Sequence, residues 1–255
     1  VVVIDDGSVD GTGEILTDEF PEVHVLKGNG HLWWAGATNE GIRYVLEGGN
    51  QKSSVLLLNN DTLVRSDFLS TLVESGSSNP QSIVGSVVVS NRDRRTILDG
   101  GVRINWKTAK YTRLSFGKDY QEIEEEAGRY RSVDFLTGRG TLVPVSVFQT
   151  IGMFDSMQLP QYGSDYEFFT RARRAGHQLL VDTRSIVFNT GESVRLGRMH
   201  EVITGLSSIR SPYGLRSRLK FARLCCPRYL LPTFVAFDLA RLLFTSVRNR
   251  LACGG

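Results

Sequence analysis

The chain is poor in the residues that staple small scaffolds. It has three cysteines in 255 residues, two of them adjacent at Cys225 and Cys226. That excludes a disulfide framework and a zinc site of the usual Cys spacing, and it fits a reducing compartment. The four histidines, His24, His31, His177 and His200, show no metal-ligand spacing. There is no Ser/His/Asp order and no nucleophile elbow. The glycine-rich stretch from Gly28 to Gly36 is neither a Walker loop nor a dinucleotide fingerprint. Internal repeats are absent, and no signal-peptide pattern is visible. The most apolar stretch, Tyr229 to Val247, is interrupted by Pro232, Asp238 and Arg241. Those breaks argue against a transmembrane helix. An apolar share of 41% with 22% charged residues is that of an ordinary globular protein. The length suits one large α/β domain, alone or with a tail.

Acidic and basic residues are unevenly placed. Residues 210–255 hold nine bases and a single acid, Asp238, against 21 bases and 26 acids in the remainder. An acidic body with a basic, apolar end is the pattern of a protein resting on an anionic surface. With Arg216, Lys220 and Arg223 ahead of it, the 229–247 stretch reads as an amphipathic helix lying in a membrane interface.

Hydrophobic spacing gives alternating strands and helices. Strands are expected at 1–4 (of the fully buried kind), 23–26, 55–58, 83–89, 135–144, 179–181 and 185–188. Helices are expected from Thr12 or Gly13 to before Pro21, and over 37–46, 67–75, 146–151 and 164–175. Residues 91–132 show little periodicity, and the acidic run 122–127 reads as a solvated face or loop. The alternation implies a mostly parallel central sheet with helices on both faces.

Three acidic segments stand out. Asp5, Asp6 and Asp10 follow a β-branched run; they serve either turn chemistry or a ligand's base and ribose groups. Asn59-Asn60-Asp61 follows Leu56-Leu-Leu and is either a turn or helix cap or a site for a hard cation with oxygen ligands. Asp165 and Glu167 open a helix with Arg171, Arg173 and Arg174 toward its end, which the helix dipole favours. That suffices for Glu167, whereas Asp165, directly after Gly163 and Ser164, could project into a cleft as a general base. Trp33 and Trp34 are core residues or a sugar-stacking platform. Ligands of open α/β sheets collect beyond the carboxyl ends of strands, so these turns converge on one cleft.

In their order and separation, Asp5–Thr12, Gly28–Ile42, Asn59–Thr62, Gly152–Asp155 and Tyr162–Gly176 resemble the inverting family 2 glycosyltransferases of GT-A fold. The rhamnosyltransferase-like bacterial members are the most similar. The likeness runs from Val1 to about Ser193. It implies a GT-A domain over 1–209, with a nucleotide-binding half (1–90) and an acceptor-side half (91–209), followed by the basic tail 210–255. One further strand and helix are expected ahead of Val1. The resemblance assigns Asp5, Asp6, Ser8, Asp10, Gly36, Asn39 and Asn60 to the nucleotide, with Asp6 meeting the base. It assigns Asp61 to Mn²⁺ or Mg²⁺, with Asn189 where the family often has a histidine ligand, and Asp165 to the acceptor proton. The implied donor is a UDP- or dTDP-linked sugar and the acceptor a glycan or a lipid-linked acceptor, with no nucleic acid involved. The expected location is the cytoplasmic face of the cell membrane. Two other readings are a non-catalytic nucleotide-sugar binding protein and, fitting less well, a two-carboxylate glycoside hydrolase.

Overall fold

Strand β5 (Ile83–Ser90) is apolar on both faces, and its first seven residues are buried. A strand of this kind belongs in the middle of a covered sheet. The computed structural model, which describes residues 1–49, 53–189, 204–209 and 211–252, places it there. Seven strands form the central sheet. Its main path runs β3 (Ser54–Leu57), β10 (Thr141–Pro144), β5, β11 (Leu179–Asn189) and β4 (Thr62–Val64). The short strands β6 (Ile97–Asp99) and β9 (Tyr130–Ser132) pair with β5 and β11 respectively. Separate two-stranded sheets are made by β1 (Val2–Asp5) with β2 (His24–Lys27), and by β7 (Val102–Asn105) with β8 (Lys110–Arg113).

The sheet is not mostly parallel, as the alternation implies. Parallel pairing is confined, among the described residues, to β1–β2 and β5–β11, and every other pair is antiparallel. The reason is local. Parallel neighbours need a long crossover, whereas short connections give antiparallel ones. The chain spends residues 91–144 on short strands with only one helix, α4 (Tyr120–Ala127), among them. Residues 91–132 read as irregular in sequence because strands of three or four half-exposed residues fall below the window in which periodicity is visible. The acidic run forms part of α4 instead of a loop. The two strands expected at 179–188 are one, with a register shift between Asp182 and Ile186. Strand β1 is only half-buried.

Helices α1 (Thr12–Glu19), α2 (Trp33–Glu47), α3 (Phe68–Ser78), α5 (Val145–Ile151) and α6 (Ser164–Arg174) occupy the expected positions. Helix α2 begins four residues early, inside the glycine-rich stretch. Two further helices, α7 (Leu215–Cys225) and α8 (Leu231–Ala252), follow. Phe221, Ala222 and Cys225 of α7, with Cys226 and Phe234, join the same core as Phe135, Phe168 and Phe169. Positions 221, 222 and 225 share one face of a 3.6-residue helix, so this segment folds onto the body. No helix among the described residues is long and apolar enough to cross a membrane. Arg210 and residues 190–193 of the family likeness lie outside the described residues.

A buried ion pair fixes α6. Arg171 Nε donates to Glu167 Oε1 at 2.7 Å and Nη2 to Oε2 at 3.0 Å, while Nη2 also reaches the Met153 carbonyl at 2.7 Å. Glu167 is therefore structural. Replacing Arg171 by Ala strands a buried carboxylate and a carbonyl. The variant is expected to lose about 2–3 kcal/mol, read as a lower urea midpoint at unchanged slope.

Candidate active site

A cavity of about 590 Å³ opens where the exit of β3, helix α2 and helices α6 to α8 meet. Its lining includes Trp34, Asn59, Asp61 and Gly138 together with Asp99, Tyr111, Arg113, Asp165, Phe221 and Asp238. Asp61 and Asp165, 104 positions apart in sequence, thus face one space.

Asp61 leaves the short turn between β3 and β4. In the antiparallel register Asn189 stands opposite Thr62, which brings the Asn189 side chain beside Asp61. Asn189 Nδ2 donates to Asp61 Oδ2 at 3.0 Å. This bond orients the Asp61 carboxylate and leaves the ligand role expected of Asn189 to its Oδ1. Asn60 is exposed in the same turn. Asn59 Oδ1 accepts from Trp34 Nε1 at 3.0 Å, and the Trp34 backbone N–H donates to Gln161 Oε1 at 3.0 Å. A Cβ on Gly138 would overlap the indole, so only glycine allows this loop to lie against Trp34. Trp34 therefore packs as part of the wall, edge-on to Phe154.

Asp165 is set by the turn that starts α6. Gly163 adopts φ +86°, a conformation that favours glycine, and the next residues enter the helix. Tyr166 then stacks on Phe135 with centroids 4.4 Å apart and planes 6° from parallel. Burial raises the Asp165 carboxyl to about 6, opposed by the Tyr166 backbone N–H and by the positive charge of Arg139, and assisted by Asp99. Asp99 is itself raised by burial. Its Oδ1 accepts from the Gly101 N–H at 2.7 Å. Burial also raises the Tyr111 phenol, with Asp238 contributing.

The nucleotide-assigned residues form a different picture. None of Asp5, Asp6, Ser8 or Asp10 lines the cavity. Asp6 accepts the backbone N–H groups of Gly30 (2.8 Å), Leu32 (2.8 Å) and Trp33 (3.2 Å). It caps the loop entering α2. Asp5 Oδ1 takes the Ser8 N–H at 2.8 Å, and these Ser8 bonds lower its pKa. Asp10 accepts from the Thr12 hydroxyl at 2.6 Å, which lowers it likewise. Asn39 is buried and clamps Phe154, donating to its carbonyl at 2.9 Å and accepting its N–H at 3.0 Å. Gly36 lies inside α2, where an added Cβ would crowd Leu32. Asp6 and Asn39 thus position this half of the site.

Sequence reasoning missed Asp99, Arg113, Arg139, Gln161 and the Arg218–Asp238 pair. Arg218 Nε donates to Asp238 Oδ2 at 2.8 Å on the cavity wall. The lone acid in a basic segment was the available signal for this pair.

No cluster of three or more His, Cys, Asp or Glu side chains suited to a metal exists among the described residues. The donor set still fits a hard cation of the Mg²⁺ or Mn²⁺ kind, which often binds through one carboxylate and completes its shell with phosphate oxygens and water. Asp61, oriented by Asn189, is such a carboxylate.

This sheet, with its acidic turn and acidic helix start facing one cleft, is the GT-A type of glycosyltransferase fold. The sequence profile of glycosyl transferase family 2 matches residues 1–152, and the chain belongs to that family. The matched region ends before Asp165. Among curated proteins no sequence matches significantly. Among solved structures, the chain is similar to GalNAc-T7 with UDP, GalNAc and Mn²⁺ (TM-score 0.55, 16% identity, 94% of this chain and 51% of that one). It is also similar to the mannosyltransferase PcManGT from Pyrobaculum calidifontis in complex with GDP-Man and Mn²⁺ (0.57, 15%, 100% and 66%). A third is residues 1–349 of S. aureus TarS (0.52, 11%, 99% and 82%). The chain spans about half the length of the first and about two thirds of the second.

The raised Asp165 fixes the sign of a stability effect. The native state holds this proton more tightly than the unfolded chain, so the contribution is full below about pH 4. It is lost as pH rises through about 6. Asp165→Asn should therefore be more stable than the parent at pH 7 and lose that advantage toward pH 4. Urea melts at several pH values measure it, and a pH-independent difference would contradict the burial of this group.

Proposed function

We propose that the protein transfers a sugar from a nucleotide-diphosphate donor to an acceptor hydroxyl with inversion of the anomeric centre. The observation that carries this reading is the convergence of Asp61 and Asp165 on one cavity. Asp61 would hold Mn²⁺ or Mg²⁺ against the donor diphosphate, where the bound ion offsets negative charge on the leaving group. Asn189 keeps the Asp61 carboxylate in place. Asp165 accepts the proton of the acceptor hydroxyl as that oxygen bonds to the anomeric carbon. The bond from that carbon to the phosphate oxygen breaks, and its electron pair departs with the nucleoside diphosphate. A single displacement needs no protein nucleophile. Trp34, held by Asn59 and Gln161, gives the donor sugar a fixed wall.

The motif set is most similar to rhamnosyltransferase-like members, which supports hexosyl transfer from a UDP- or dTDP-linked donor. Cell-surface polysaccharide or glycolipid synthesis is the corresponding role. The non-catalytic alternative is disfavoured by the half-buried carboxyl of Asp165 at the cavity, raised toward neutrality as a general base requires.

Calorimetric titration of UDP, dTDP and GDP, each with and without Mn²⁺, tests the donor side; the reading requires metal-dependent binding of at least one. On the acceptor side, Asp165→Asn should lower turnover by roughly 10²- to 10⁴-fold with nucleotide affinity unchanged. In the parent enzyme kcat/KM should rise with pH through about 6, because the base works only when ionised.

We also propose peripheral contact with an anionic membrane through the exposed Arg216, Arg223, Arg228 and Tyr229. Deleting the segment would unpack the core, so the test is substitution. Arg228→Glu with Tyr229→Ser should reduce partitioning onto vesicles containing phosphatidylserine, and equal partitioning of parent and variant would refute the contact.

A further inference from the structure

Two guanidinium groups in the cavity have no carboxylate of their own. Arg113, at the end of β8, and Arg139, in the loop before β10, both line it. Neither makes an ion pair among the described residues. The remaining cavity arginine, Arg218, is fully engaged by Asp238 and the Pro212 carbonyl. The two acids that feel Arg113 and Arg139 are Asp99 and Asp165. Each already takes a backbone N–H, from Gly101 and Tyr166 respectively. Burial favours the neutral form of Asp99, so it opposes an incoming anion less than a free carboxylate would. The Arg113 guanidinium carbon lies 4.8 Å from the centre of the Phe116 ring.

We propose that Arg113 and Arg139 form an oxyanion subsite for a phosphate or carboxylate carried by the acceptor. Guanidinium groups bind such planar or tetrahedral oxyanions through paired N–H donors. Arg113 and Asp61 enter the cavity from different elements of the fold. Arg113 belongs to the β7–β8 hairpin, whose Trp106 and Tyr111 pack against Phe221 of α7. Asp61, assigned above to the diphosphate, belongs to the turn after β3 and is held by β11. The proposal rests on the transferase reading for the word acceptor, but the anion site itself does not.

The test titrates inorganic phosphate into the full chain, alone and with saturating Mn²⁺ and the nucleotide that binds. The parent, Arg113→Gln, Arg139→Gln and Arg113→Lys are compared. Because neither arginine holds an ion pair, the variants should melt with the parent. The expected result is phosphate binding to the parent in both states, weakened about tenfold or more in each Gln variant and partly retained in Arg113→Lys. Nucleotide affinity should stay unchanged in Arg113→Gln. Equal phosphate binding in parent and Gln variants, or none in the parent, overturns the subsite. Displacement of phosphate by nucleotide, with the Gln variants weakening nucleotide equally, assigns the anion to the donor and overturns the acceptor assignment. Arginine-dependent phosphate binding in a protein that binds no nucleotide would sink the transferase reading and leave the anion site standing.

Discussion

The stack of Tyr166 on Phe135 is the contact on which the site depends. Phe135 is fully buried, and Tyr166 is the residue after Asp165, so the ring pair fixes where the carboxyl points. Around it stand Tyr111 from β8, Trp106 from the turn after β7, and Phe221 from α7. Aromatic groups bury large areas with few rotatable bonds, so such a cluster is stiff at low entropic cost. Three regions distant in sequence are thereby joined into one wall.

The opposite wall is held by polar bonds. Asp6 gathers the N–H groups at the entrance of α2, Asn39 ties that helix to Phe154, and Asn59 with Gln161 fixes Trp34. Residues that resemble nucleotide ligands thus shape the backbone on this side of the molecule. The division is physically sensible: the apolar cluster lowers the local dielectric around Asp165 and raises its pKa, while the polar wall keeps the Asp61 side hospitable to ions.

Much of this was legible in the sequence where a single element carries its own signal. The acidic exits of β1 and β3 and the glycine-led start of α6 each combine a hydrophobic run with a turn, and the structure has them. The β6–β9 region escaped because its strands are too short and half-exposed to show alternation. The role of α7 and α8 escaped because basic residues on one face suggested a surface helix, while the burial of Phe221 and Phe234 depends on partners far away in sequence. Arg139 and Asp99 carry no local pattern; only tertiary proximity to Asp165 gives them meaning.

The union of the last helices with the β7–β8 hairpin has a consequence for how the protein comes into being. Contacts between positions near 106, 135, 166 and 234 have very large sequence separation, and non-local pairing of this kind forms late. Domains emerge from the ribosome amino end first. The first half can therefore assemble its strands while the Asp165 wall still lacks Phe221, Phe234 and the Arg218–Asp238 pair. A nascent chain would keep the Asp165 side of the cavity open until α8 has emerged.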